Sequence, residues 1–289
     1  MDATADRRMK TDVWLLFFCQ ALMNASVGHS LAEDKSLATL PMGVQMLATM
    51  AASIPAGIIF ARLGRRAGFT LGAAASCLGC LVFAWGIWNH DFWLYVAGAI
   101  PAGLGFGVAQ HYRFAAAEVA TPAYRPRAIA LVMAGGVLAA IFGPEIVKHS
   151  KDLAPPFLFL GTYLILAVLP VLCAVLLGQV RLPSAPPRVA SPTPVMEIVR
   201  RPAFLTAALT GAIAYGTMNL VMTSTPLEMM ACGFAVTASA TVIQAHAVAM
   251  FAPGFVTGRL IARYGVRPVI ATGAALNAVC VAVALAGET

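Results

Sequence analysis

About nine stretches of this chain are each close to twenty residues long and almost wholly apolar, and they decide the solvent in which it folds. A helix rises about 1.5 Å per residue, so roughly 20 residues cross a hydrocarbon core about 30 Å thick. The stretches lie near Val13 to Leu31, Leu37 to Ala61, Phe69 to Trp88, Trp93 to Ala117, Ala128 to Val147, Pro156 to Leu177, Ala203 to Thr223, Val236 to Leu260 and Pro268 to Ala286. A backbone amide in lipid finds no water and must be satisfied within its own segment. The runs are too long and too evenly apolar for barrel strands, so they are predicted to be helices. Charged residues make up 11% of the 289, against roughly 25% in a soluble domain, which is too few to cover a water-soluble surface.

The formal charge of +7 would suggest nucleic acid in a soluble protein. Here the basic residues fall in short clusters between apolar runs, the distribution of a topology signal, and no nucleic-acid partner is expected. All but three of the 19 Lys and Arg residues fall on one side of the alternation; Lys35, Lys148 and Lys151 fall on the other. The sequence therefore predicts a cytoplasmic N-terminus in the cell inner membrane, with Met1 to Asp12 as a cytoplasmic tail rather than a cleaved signal. Trp14, Trp88, Trp93 and Tyr95 sit at the expected interfaces. Five of the six cysteines lie inside apolar runs, so they are read as small packing residues, the Cys77 and Cys80 pair included, and not as a disulfide framework.

The longest polar stretch, Gln179 to Pro202, is rich in proline and serine and carries four arginines. It is read as a cytoplasmic linker over 179–202, dividing a six-helix N-terminal bundle over 1–178 from a partial C-terminal bundle of three helices over 203–289.

The two parts share a repeat. Gly57-Ile-Ile-Phe-Ala61-Arg62-Leu-Gly64-Arg65-Arg66 lines up with Gly258-Arg-Leu-Ile-Ala262-Arg263-Tyr-Gly265-Val266-Arg267, pairing Gly57 with Gly258, Arg62 with Arg263, Gly64 with Gly265 and Arg66 with Arg267. The composition has a physical reading: the first glycine allows close helix approach, the second a tight turn out of the membrane, and the arginines hold the loop at the cytosolic face.

With these residues the sequence resembles the major facilitator superfamily, whose signature after its second helix reads Gly-x-Leu-Ala-Asp-Arg-x-Gly-Arg-Arg. The resemblance implies an all-α polytopic membrane protein with a complete six-helix N-terminal bundle and three helices of a second bundle. It departs at the aspartate, replaced by Ala61 and Ala262, so the family's gate bridge needs another acid. Glu118 is the nearest that could pair with Arg62, Arg65 or Arg66. Gly143-Pro144 looks like part of the family's antiporter motif, but Glu145 to Lys148 replace its following glycines, and it is read as a kink. More faintly, Gln110 to Glu118, Ala134 to Val137 and Met218 to Met222 look like a bacterial subgroup that includes riboflavin importers.

Polar side chains inside spans normally face a partner helix or a water-filled cavity. Three pairs share a helix face: Gln20 with Asn24, Gln110 with Arg113, and Tyr215 with Asn219. They fall on helices one, four and seven, which in the family line the central cavity. Each is read both as a candidate solute contact and as interhelical glue, except Arg113, whose fixed charge must be paired or hydrated: near the cytoplasmic end it can snorkel, and facing a cavity it would favour an anionic or acceptor-rich solute. His29, His111, Gln244 and His246 are read as packing residues first. No phosphate-cradling loop, HExxH or GxSxG occurs, so no enzyme, metal or cofactor is expected. Glu118 and Glu145 are the acids near the spans that could carry a coupling proton. The expectation is a monomeric transporter moving a small polar or anionic organic solute by alternating access across the bilayer. The alternatives are a non-transporting scaffold or sensor, or an inactive fragment, since a chain ending just after a ninth helix reads as truncated.

Overall fold

The computed structural model describes residues 3–25, 40–182, 194–234 and 236–286, so His29 and Lys35 lie outside the described residues. The described residues are helical, without a strand among them: α1 (Ala3–Ala25), α2 (Leu40–Ala51), α3 (Ser53–Trp88), α4 (Phe92–Ala109), α5 (Tyr112–Val119), α6 (Arg125–Ala134), α7 (Gly136–Ser150), α8 (Leu160–Gln179), α9 (Val195–Val199), α10 (Pro202–Ala231), α11 (Val236–Phe251), α12 (Gly254–Tyr264) and α13 (Val266–Ala286). Among the described residues, seven segments are long and apolar enough to cross a membrane: Ser53–Trp88, Phe92–Val119, Arg125–Ser150, Leu160–Gln179, Pro202–Pro226, Thr241–Tyr264 and Val266–Val283.

The difference from about nine has two causes. Of the first expected span, Val13 to Leu31, the described residues reach only to Ala25, and the part of α1 before Val13 is charged. The end of the second expected span and all of the third run together as α3, with the chain breaking helical geometry at a single residue, Gly64. Similarly, α4 with α5 and α6 with α7 are single expected spans interrupted at Gln110–His111 and Gly135. Prolines 101, 144, 170 and 226 lie inside helices, as membrane helices tolerate when neighbours restore the freed backbone bonds.

Helix α1 takes in most of the charged N-terminal segment. It starts at Ala3, ten residues before the apolar run, steadied by an Asp6–Lys10 pair at 2.6 Å. Met9 is buried and its Sδ accepts the Thr121 amide at 3.3 Å, while buried Asp12 accepts the Arg181 amide at 3.3 Å.

The chain forms two compact units, Met1–Ala185 with Val248–Thr289, and Pro186–Ala247. In the first, α3 and α4 run antiparallel with small residues in register. A Cβ on Gly72 would meet Val108, one on Gly79 would meet Ala102, and one on Gly86 would meet Tyr95. Such glycines let backbones touch, which is how helices associate in a solvent as apolar as their own side chains. On another face of α4, Thr49 Oγ1 donates to Gly103 O at 3.1 Å, bringing in α2.

Two clusters complete this core. One gathers Leu16, Phe69, Tyr112, Cys173 and Leu177; the other Phe83, Tyr95, Tyr163 and Leu166. Within them the Tyr95 and Tyr163 hydroxyls lie 2.6 Å apart and Tyr112 OH lies 3.2 Å from Cys173 Sγ, and elsewhere in the interior Ser150 Oγ lies 2.8 Å from Thr162 Oγ1. Pairing offsets the cost of removing a hydroxyl from water. All six cysteines are free; Cys19, Cys80 and Cys173 are buried, Cys77 is half-buried, and Cys232 and Cys280 are exposed. The second unit is built on α9, α10 and the start of α11; α10 exposes apolar side chains such as Leu209, Ile213 and Leu220, suiting a helix surrounded by lipid.

Candidate functional site

The repeated turns are built the same way. Gly64 has φ 84° and ψ 166°, and Gly265, ending α12, has φ 82° and ψ 172°. A side chain disfavours this region so strongly that it is almost confined to glycine, and both copies use it to stop one helix and start the next without a loop. The glycines two helix turns before them differ in surroundings. A Cβ on Gly258 would come within 2.8 Å of Arg127 Cα and Pro126 O, so α12 lies backbone to backbone against the start of α6. One on Gly57 would meet nothing within 4 Å.

At the first turn, Arg65 Nε donates to Glu118 Oε2 at 2.9 Å, and its Nη2 donates to Oε1 of the same carboxylate. The two-pronged fit is one a guanidinium can make and an ammonium cannot. The Arg65 guanidinium also lies 4.9 Å over the Phe60 ring. Arg66 Nη2 donates to Val180 O at 2.8 Å, tying the turn to the residue that follows α8. Of the three arginines that could reach Glu118, the structure selects Arg65, while Arg62 is exposed. At the second turn Arg263 lies 5.2 Å over Tyr264, and Arg267 is exposed.

Replacing Arg65 with Glu is expected to destabilise the protein by about 1 kcal/mol, the modest value reflecting a half-exposed pair. Adding Glu118→Arg should restore part of the loss. A double-mutant cycle on thermal unfolding checks this, and strictly additive losses would deny the coupling.

The polar candidates are placed as follows. Gln20 is buried in α1, and Asn24 lies one turn further along, its side chain outside the described residues. Gln110 closes α4 at the interruption before α5, where the His111 amide bonds Val108 O at 3.0 Å in a tightened turn. Arg113, in α5, is half-buried with its guanidinium 5.0 Å over Phe114. His111 Nδ1 bonds Gly107 O at 3.1 Å, and its ring sits between Phe60 and Phe114 at 5.3 and 5.7 Å, a packing residue. In the second unit, Asn219 Nδ2 donates to Tyr215 O at 2.9 Å, so these two share a face of α10.

Two anchors escaped the sequence reading. Asp12 and Met9 fix α1 to the segments after α5 and α8; an acid directly before an apolar run was the visible signal for Asp12. Nothing in the sequence marks the Tyr112–Cys173 contact, which joins α5 to α8 across 61 positions.

A bundle of apolar helices with duplicated glycine turns defines a polytopic membrane protein. A sequence profile of the Major Facilitator Superfamily matches residues 13–289. The riboflavin transporter RfnT of Brucella anthropi is 36% identical over 99% of this chain and 75% of its own length. Two uncharacterized MFS-type transporters of Bacillus subtilis, YddS and YdeG, are 26% and 25% identical over 90% and 84% of the chain, which spans 65% and 60% of their lengths. The chain belongs to the Major Facilitator Superfamily. It is thus a multi-pass membrane protein in a family of solute transporters, not of enzymes.

Proposed function

We propose that this chain carries riboflavin, or a polar heteroaromatic solute much like it, across the cytoplasmic membrane by alternating access. The observation that supports this is the 36% identity, sustained over nearly the whole chain, to a protein named as a riboflavin transporter. In this reading residues 1–178 and 203–289 belong to two bundles joined by 179–202, which rock to open a site to one side and then the other. Gln20, Asn24, Gln110, Arg113, Tyr215 and Asn219 are the solute contacts. The turns around Gly64 and Gly265, with Gly57, Arg62, Arg65, Arg66, Glu118, Gly258, Arg263 and Arg267, lie at the cytosolic gate, the side the basic residues favour. The protein acts as a monomer, and Glu118 and Glu145 are the carboxylates for any coupling proton.

The chain should restore growth on added riboflavin to a bacterial strain that can neither make nor import it, with saturable uptake of labelled riboflavin. No uptake above the empty vector, from protein shown to be inserted in the membrane, would refute the substrate. An impermeant thiol reagent reaching a cysteine placed at residue 64 from outside intact cells would refute the orientation.

A further inference from the structure

We infer that Arg113 is the residue through which this protein selects its solute, donating to an acceptor-rich edge, either paired carbonyl oxygens or an anionic oxygen. The inference rests on the proposed transport function and deepens it.

Placement comes first. Along α4 and α5 the residues Phe106, Gln110, Arg113 and Ala117 recur at helical spacing, and all four are half-buried. Beside them Tyr112 and Ala116 are fully buried in the core, and on the other side Phe114 is exposed. The stripe therefore belongs neither to the core nor to the fully exposed surface. Arg113 is the charged member of this stripe, and Gln110 stands one turn before it.

Charge and hydrogen bonding follow. A guanidinium carries five N–H donors and stays ionised, so within a span it must find acceptors or water. Glu118, five residues on, is occupied by both prongs of Arg65. Arg113 takes part in none of the ion pairs among the described residues, and its Nε is shielded from solvent without a hydrogen-bond partner. The Phe114 ring offers about 0.5–2 kcal/mol of cation–π attraction to the guanidinium face, which gives the in-plane Nε–H no acceptor. Arg125, by contrast, donates to Ala117 O at 3.0 Å, and Arg66 to Val180 O. A donor set kept free in this way is what a solute's acceptors would complete, with the Gln110 amide able to give and accept beside it. The pyrimidine edge of a flavin carries two carbonyls flanking an N–H and fits this set; so does a carboxylate or phosphate.

The test uses the full chain in lipid nanodiscs. An arginine-specific dicarbonyl reagent is applied with and without riboflavin, flavin mononucleotide, benzoate or inorganic phosphate, and modification of Arg113 is read by mass spectrometry. Riboflavin binding to Arg113→Gln, Arg113→Lys and the surface control Arg8→Gln is followed by flavin fluorescence. Riboflavin is expected to slow modification of Arg113. Arg113→Gln should weaken riboflavin binding about ten- to a hundredfold, corresponding to roughly 1.4–2.7 kcal/mol. Arg113→Lys should fall between, and the unliganded thermal unfolding of all three variants should stay at the wild-type value. Protection by benzoate or phosphate alone would keep the acceptor contact and reject the flavin reading. Absence of protection by any of the four probes, or riboflavin affinity unchanged in Arg113→Gln, would overturn the inference.

Discussion

Gly79→Ala is expected to lower the thermal stability of this protein more than any other single added methyl group in α3. The new Cβ would fall 2.5 Å from the backbone nitrogen of Ala102 and 2.7 Å from its Cα. Neither atom can rotate away, so α3 and α4 would have to separate along an antiparallel contact that Gly86 continues, where an added Cβ would fall 2.6 Å from Tyr95 N. Overpacking of this kind costs about 1–3 kcal/mol and sits at the top of that range where backbone, not a flexible side chain, resists. Gly273→Ala in α13 supplies the contrast. Nothing lies within 4 Å of its Cβ position, so it should be neutral or gain up to about 1 kcal/mol of helix propensity. Thermal unfolding of both in the same detergent decides the matter, and equal melting temperatures would contradict the packing described for α3 and α4.

The turns give the second large effect. Gly64→Ala and Gly265→Ala place a side chain at φ 84° and 82°, with ψ near 170°, a region almost confined to glycine. Each should cost about 1–3 kcal/mol, and uptake should fall with stability because the next helix can no longer leave at the same angle. Gly43→Ala, in α2 with open space around it, should show neither loss. Tolerance of Ala at 64 and 265 equal to that at 43 would mean that the two turns relax without penalty, and their shared geometry would lose its significance.

How far the sequence reached depended on whether the controlling interaction was local. The aligned runs through Gly64 and Gly265 were legible because a tight turn with positive φ is a property of one residue, and only glycine supplies it cheaply. Glu118 was legible as an acid near the arginine turn, since charge in an apolar chain is scarce enough to be matched by position. Which arginine would meet it was not. That choice depends on the rotation of the helix leaving Gly64, which points Arg65 toward α5 and Arg66 toward Val180. The proposed solute residues Gln110 and Arg113 were visible as polar exceptions in an apolar run. That Arg113 Nε meets no acceptor among the described residues while Arg125 Nε has one follows from the packing alone.

By itself the sequence determined the solvent, the helices and the family, because the length and apolarity of each run and the composition of the duplicated turns act within a single segment. Tertiary structure alone decided which glycines are contacts and which are open, that Asp12 and Met9 anchor α1, and that Tyr112 meets Cys173. Those outcomes depend on surfaces from distant parts of the chain coming within a few ångströms of each other, and no stretch of sequence carries the distance between two helices.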